Sequence, residues 1–275
     1  VVISRFMENT KEVEVDAVSD GRDVLIGAIM EHVELAGTHS GDATMVIPPQ
    51  TLSPEVLSTI EEYTEKVAHA LTIRGPFNIQ FLVKNERVYI IELNLRASRS
   101  MPYTSKSIGI PLIRIAAKIM LGKTLRELRV LKRPPMLHVA VKSPMFSFMR
   151  LKGADPVLGV EMTSTGEVAC LDYSFAGALI KALMAAGLTV PTPNEPILLT
   201  VRDEDQIYAV DIARKLRKIG YPIFATKGTA EILKKAGIDH VKVLRKIREG
   251  KGNIVEYILN RKIGMIVNTP SALSR

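Results

Sequence analysis

The sequence predicts two folds in series, an α+β part over residues 1–189 and a parallel-sheet α/β part over residues 190–275. Three observations carry that prediction. Within Asn78–Arg99, two runs rich in apolar, β-branched and aromatic residues flank a polar turn, Lys84-Asn85-Glu86-Arg87, which is the pattern of an antiparallel hairpin. Between Leu188 and Pro196 three prolines fall in nine residues and mark a boundary. Beyond it, short apolar runs alternate strictly with amphipathic ones, as in a parallel sheet with helices packed around it.

Taken in order, Lys11–Val18 alternates acidic and apolar residues at the period of a half-buried strand, placing Glu12, Glu14 and Asp16 on one face. Most acids in such a pattern face water; one beside a cleft can hold ribose hydroxyls. Asp20-Gly21 is a turn signal, and Val24–Met30 completes the hairpin. Glu34–Asp42 is a polar loop with Gly37 and Gly41 around Thr38, His39 and Ser40. Such a loop is either a plain connection or a place where backbone amides approach a ligand. Ser53-Pro54-Glu55 opens a helix with a capping hydroxyl, a first-turn proline and an acid at the positive end of the dipole. Val56, Leu57, Ile60, Val67, Ala68 and Leu71 continue it at helical spacing, and Gly75 lies past its end. After the Asn78–Arg99 hairpin, Ile110–Gly122 reads as a proline-started, glycine-stopped helix with Met120 in the core. Lys123–Pro135 is basic and ends in a double proline, as a linker or exposed rim does. Val139–Phe146 reads as strand, Gly153–Gly159 as loop, Glu161–Val168 as a turn into a strand, and Ser174–Ala186 as a capped helix stopped by Gly187. In the last part, strands are expected at 197–201, 222–226, 241–244 and 263–268, and helices at 206–219, 229–236 and 254–259. Ligands of parallel sheets bind beyond the carboxyl ends of the strands. There, Ala225-Thr-Lys-Gly-Thr229 is either a phosphate cradle or only a turn and a cap, and Asn268 ends the last strand at the same edge.

Composition narrows the function. The net charge is +8, but Lys and Arg are spread along the chain beside acidic residues, and seven Phe, seven Tyr and no Trp leave few stacking surfaces. Solvated helix faces and anion-binding arginines explain the charge better than nucleic acid does. No apolar run approaches the roughly 20 residues that span a bilayer, and no basic-then-apolar leader is present. A cytoplasmic protein is expected, with neither membrane nor nucleic acid as partner. The single Cys170 excludes an internal disulfide framework, and the five His have no zinc spacing. The start at Val1, inside an apolar run and without Met, suggests a fragment.

The chemistry concentrates at the end of the Asn78–Arg99 hairpin. Glu92 and Asn94 are two apart on one strand and leave the same face, whereas Ile91 and Leu93 leave the other. Oxygen ligands facing one way suit a hard cation such as Mg²⁺. For Gln80 to supply a third oxygen it must lie opposite Glu92. That register implies a three-residue loop, Asn85-Glu86-Arg87, because a two-residue loop sends Gln80 to the wrong face.

The loop Ala36-Gly-Thr-His-Ser-Gly-Asp42, the hairpin end Glu92-Leu-Asn-Leu-Arg-Ala-Ser-Arg99 and Ser164-Thr-Gly-Glu-Val168, followed by the alternating tail, together resemble the large subunits of carbamoyl-phosphate synthetases. The resemblance covers nearly the whole chain. It implies that residues 1–189 are the carboxyl-terminal ATP-grasp half, incomplete at its start, and residues 190–275 a Rossmann-like regulatory domain similar to methylglyoxal synthase, incomplete at its end. It places Gly37, Thr38, His39 and Ser40 against ATP and Glu12 at the ribose. Gln80, Glu92 and Asn94 become ligands of Mg²⁺ (or Mn²⁺), and Arg96 and Arg99 steady the phosphates and carbamate. Leu95 stands where the family has proline. The implied reaction is phosphorylation of carbamate by ATP, in pyrimidine and arginine biosynthesis. Implied partners are a glutaminase small subunit and the remainder of the large subunit, in an oligomeric assembly, and the isolated fragment is expected to be inactive. Thr226, Thr229, Lys246 and Asn268 fall where family members bind a nucleotide monophosphate effector, and Gln206 replaces a bacterial lysine. Glu34 and Asp42 match acids that hold ornithine in bacterial members, with Ser143 at the third acid's place. Two other readings compete: a different ATP-grasp carboxylate ligase or carboxylase, and a non-catalytic nucleotide-sensing module.

Overall fold

A computed structural model of the chain describes residues 7–147, 158–159 and 161–269. The opening run Val1–Phe6 and most of the expected Gly153–Gly159 loop lie outside these residues. The chain divides into two compact units, Val1–Leu188 and Thr189–Arg275.

The first unit is an antiparallel sheet of seven strands: β1 (Lys11–Asp20), β2 (Val24–Leu35), β3 (Met45–Ile47), β4 (Arg74–Lys84), β5 (Arg87–Asn94), β6 (Val139–Met145) and β7 (Gly166–Asp172). They lie in the order β5-β4-β1-β2-β3-β6-β7. Helix α1 (Pro54–Ala70), capped by the Ser53 hydroxyl as expected, buries Val56, Ile60 and Ala68 against Val13, Val15, Phe77, Ile79 and Phe81. Helices α2 (Met101–Ile108) and α3 (Leu112–Met120) pack Met101, Tyr103, Leu112, Ile115 and Ile119 on Leu25, Ala28, Met30 and Ile47. Val46 and Val141 meet α4 (Phe175–Ala185), whose first turn is capped by Ser174. Each sheet face thus carries helix cover, and β1, between β4 and β2, is buried along almost its whole length. Its acids therefore do not face water.

Several expectations are corrected. Sequence reading assigned no element to Met101–Ile108, a polar one-face helix closed by Gly109 in the left-handed conformation. Met120 is 69% exposed, because the core positions of α3 are Leu112, Ile115, Ala116 and Ile119 and Met120 is one step round from them. Lys123–Pro135 is no free linker at its start: Leu125 is fully buried, its amide donates to Asp20 at 2.8 Å, and Arg126 pairs with Asp23. The β4–β5 turn has two residues, Asn85 and Glu86, both at positive φ (49° and 61°), with Lys84 opposite Arg87. Gln80 nevertheless lies opposite Glu92, because a bulge between Gln80 and Phe81 in the ladder accommodates Ile91 as an extra residue.

The second unit is a parallel sheet of β8 (Ile197–Thr200), β9 (Ile223–Thr226), β10 (Lys242–Leu244) and β11 (Met265–Asn268) in the order β10-β9-β8-β11. Helices α5 (Gln206–Ile219), α6 (Lys227–Lys235) and α7 (Ile254–Leu259) alternate with the strands. Its own core joins Ile197, Leu199, Ala213, Ile223, Ala225 and Leu233. The expected mixed architecture, antiparallel hairpins with helices followed by a parallel α/β unit, is the observed one.

Candidate functional site

The first unit contains a cavity of about 680 Å³, within the range of small-molecule sites. Ten candidate residues of that unit line it: Glu12 from β1, Gly37, Thr38, His39 and Ser40 from the loop after β2, Gln80 from β4, Glu92 and Asn94 from β5, and Arg96 and Arg99 beyond β5; Glu34, Asp42 and Ser143 are not in its lining. Residues up to 87 positions apart in sequence meet because β1 and β4 are neighbours and β5 closes the edge.

The floor is the end of the β4–β5 hairpin. Asn94 Nδ2 donates to Glu92 Oε1 at 2.5 Å, and Arg96 Nη2 donates to Asn94 Oδ1 at 3.1 Å. Gln80 directs its amide nitrogen at Glu14 and Ser40, each at 3.4 Å, which leaves its oxygen as the ligand it can offer. One carboxylate and two amide oxygens on one face are a donor set that fits Mg²⁺ or Mn²⁺. Ile91, expected on the other face, lines the cavity because the bulge turns it to the side of Glu92.

The loop after β2 is held from two sides. His39 Nδ1 accepts from the Gly41 amide at 3.0 Å, and the buried Asp42 carboxylate accepts from the Thr163 and Ser164 amides and the Thr163 hydroxyl at 2.8–2.9 Å. The Ser164-Thr-Gly-Glu-Val motif thus packs on the Gly-Thr-His-Ser-Gly loop. Burial works against ionising Asp42, but the Ser164 and Thr163 donors outweigh it and hold its carboxyl below the usual range. Glu34 is likewise committed, accepting from the Thr44 amide at 2.7 Å.

Beside the expected Glu12, four buried groups were missed by sequence reasoning: Glu14, His32, Lys142 and Asp16. Glu14 lies 3.4 Å from His32 Nε2 and accepts from Asn78 at 3.2 Å; burial opposes its ionisation, but His32 and Asn78 keep its carboxyl low. Glu12 shifts the other way: burial raises it, reinforced by the charges of Glu14 and Glu92 and opposed by His32. Ligand atoms of Glu12, Glu14 and His32 all lie within 4.8 Å of one another, a grouping that linear spacing does not reveal. Lys142 of β6 is 1% exposed and reaches the Ser40 and Gly41 carbonyls at 3.3 and 3.4 Å and Glu167 at 3.7 Å. Burial depresses its ammonium, opposed by the charge of Glu167. Asp16 is wholly buried, and burial raises its carboxyl against the Ser98 and Asn78 hydrogen bonds. The only sequence signal for the acids was their alternation along β1; for Lys142 there was none.

In the second unit Thr226 and Asn268 end β9 and β11, and Lys246 follows β10, all at the carboxyl edge of the sheet. Thr226 and Thr229 are buried, with hydroxyls 3.4 Å apart, and Thr229 accepts from the Val201 amide at 3.3 Å. These hydroxyls serve the fold, and Thr226 makes no side-chain cap to α6. Lys246 is exposed, with its backbone amide donating to Glu249.

Fold and site define an ATP-grasp type of nucleotide-binding unit followed by a Rossmann-like one. The family description "Carbamoyl-phosphate synthase L chain, ATP binding domain" matches residues 1–128 and "MGS-like domain" matches residues 208–275. The carbamoyl phosphate synthase large chain of Methanosarcina barkeri is 44% identical over 99% of this chain and 68% of its own length. That of Archaeoglobus fulgidus is 47% identical over 98% of this chain, which spans 25% of that protein. The "C-terminal section" of the Methanocaldococcus jannaschii large chain is 45% identical over 98% of this chain and 45% of its own length. The chain belongs to the carbamoyl phosphate synthase large-chain family and corresponds to its carboxyl-terminal section. A biotin carboxylase domain from a single-chain bacterial carboxylase, 18% identical with a TM-score of 0.54 over 66% of this chain and 48% of its own, shares the fold. Among the described residues no helix is long and apolar enough to cross a membrane.

Proposed function

We propose that residues 1–189 form part of the site that phosphorylates carbamate to carbamoyl phosphate, and residues 190–275 a nucleotide-monophosphate-sensing regulatory domain. The observation that carries this reading is the meeting of ten candidate residues in one cavity with Gln80 opposite Glu92. A carbamate oxygen attacks the γ-phosphorus of ATP, forming a new P–O bond as the bond to the β-γ bridging oxygen breaks and ADP leaves with its electron pair. Gly37, Thr38, His39 and Ser40 hold the nucleotide, Glu12 its ribose, and Arg96 and Arg99 the transferring group and carbamate. Bound by Gln80, Glu92 and Asn94, Mg²⁺ or Mn²⁺ supplies neutralisation of phosphate charge. A glutaminase small subunit and the remainder of the large chain would provide the carbamate, in a cytoplasmic assembly serving pyrimidine and arginine synthesis. Thr226, Thr229, Lys246 and Asn268 mark the effector edge.

The test is formation of ATP from carbamoyl phosphate and ADP by the full-length natural protein. Glu92→Gln keeps the fold, since Glu92 is exposed, and is expected to lower kcat by at least about 100-fold, on the order of 2.7 kcal/mol. An undiminished rate in that variant would remove Glu92 from the site.

A further inference from the structure

Asp16 has no exposed surface and sits in the middle of β1, yet among the described residues its carboxylate has no cationic hydrogen-bond donor. It accepts four bonds from neutral groups: Asn78 Nδ2 at 3.0 Å, Ser98 Oγ at 2.5 Å, Ser100 Oγ at 2.8 Å and Thr104 Oγ1 at 2.8 Å. Three of the four donors lie between residues 98 and 104. Burying a carboxylate is costly unless it is fully bonded, and an apolar side chain would fill the same space without that cost. Stability alone therefore gives a poor account of it.

The segment it grips explains the choice. Leu95–Ser100 joins β5 to α2 without regular secondary structure, so no ladder fixes its backbone. Arg96 and Arg99 are exposed into the cavity, while Ser98 and Ser100, interleaved with them, turn back to Asp16. Ser98 Oγ also receives the Met101 amide at 3.1 Å, tying the same point to the start of α2. We propose that Asp16 is the positioning residue for Arg96 and Arg99: by holding Ser98 and Ser100 against the sheet it fixes where both guanidinium groups meet the phosphoryl group. It touches neither nucleotide nor carbamate. The catalytic consequence rests on the phosphoryl-transfer reading, whereas the clamp itself does not.

The experiment compares Asp16→Asn and Asp16→Val with the unaltered full-length protein, by amide hydrogen exchange and by ATP formation from carbamoyl phosphate and ADP. Asp16→Val removes every acceptor; exchange over residues 95–101 is expected to rise at least about tenfold, with residues 37–41 within about twofold of the unaltered protein. In the same variant kcat is expected to fall at least about tenfold with the KM for ADP within about twofold, since the nucleotide loop is untouched. Asp16→Asn keeps one acceptor oxygen, and the Ser100 and Thr104 hydroxyls can turn to accept from its amide, so it should fall between. Unchanged exchange over 95–101, or a KM for ADP that rises as kcat falls, overturns the assignment. Should Asp16→Val fail to fold, the pair Ser98→Ala and Ser100→Ala severs the same link while leaving Asn78 and Thr104 on the carboxylate, and is held to the same outcomes. Faster exchange in the variant, with no ATP formed by the unaltered protein, would overturn phosphoryl transfer and leave the clamp standing.

Discussion

At the scale of single residues, buried polar groups hold the cavity's two rims: Asp42 and Lys142 on the loop after β2, Asp16 on the segment after β5. Asp42 gives a test by pH. Its folded-state carboxyl sits below the unfolded value of about 3.9, so its bonds to Thr163 and Ser164 contribute stability that is complete above that value and is lost as pH falls through the lower, folded one. Asp42→Asn turns one of these donors against an amide NH₂, and is expected to cost about 1–3 kcal/mol at neutral pH and to lose that difference in acid. Thermal unfolding followed between neutral pH and pH 2 checks it; a deficit that persists undiminished at pH 2 contradicts the assignment. Much of this scale was hidden in the sequence. Glu92–Arg99 was legible from its residue chemistry, whereas Gly37–Ser40 came in only through the family resemblance, its own residues fitting a plain connection as well. Lys142, in a strand that reads as ordinary, becomes a site residue only when β6 comes beneath Ser40 and Gly41.

At the scale of elements, the β4–β5 hairpin shows what periodicity can and cannot settle. Sequence reasoning required Gln80 opposite Glu92 and obtained it with a three-residue loop. The chain reaches the same pairing with a two-residue turn and a bulge at Ile91, because either device shifts the ladder by one step. Nothing in the pattern of apolar residues separates the two. The turn residues could have decided it, since left-handed conformations at Asn85 and Glu86 belong to a two-residue type I′ turn, but only Asn is at ease there. Glu86 pairs with the half-buried Ser53 hydroxyl while holding φ at 61°. Glu86→Gly removes that weak surface bond and the backbone strain together, with the strain the larger, so a gain of up to about 1 kcal/mol is expected in urea unfolding. A loss of stability would show that the Ser53 contact outweighs the conformational preference. Helix α2 was missed for the opposite reason: Pro102, Thr104, Ser105 and Ser107 weaken its helical pattern, and its stability comes from Met101, Tyr103 and Ile108 in the core and from the Asp16 bond to Thr104.

At the scale of the whole molecule, the apolar interiors separate cleanly along the chain. Three clusters draw only on residues before Leu188, whereas the fourth draws only on residues between Ile197 and Val267. Strand-and-helix alternation made the second unit readable from sequence, down to the limits of α5 and α7, because local pattern and tertiary role agree throughout it. Its carboxyl edge is less simple: Thr226 and Thr229 are buried and bonded within the unit, so of the four effector candidates Lys246 and Asn268 are the exposed ones. A unit with its own core should unfold on its own. Residues 189–275 alone are expected to show one cooperative urea transition with a slope of about 1 kcal/mol/M, as suits a domain of that size. If the regulatory proposal holds, a nucleoside monophosphate at 100 times its dissociation constant raises the unfolding free energy by about 2.7 kcal/mol, and Lys246→Ala abolishes the gain while leaving the ligand-free midpoint in place. A non-cooperative transition would contradict an autonomous core, and equal stabilisation of the Lys246→Ala form would remove that lysine from the phosphate's neighbours.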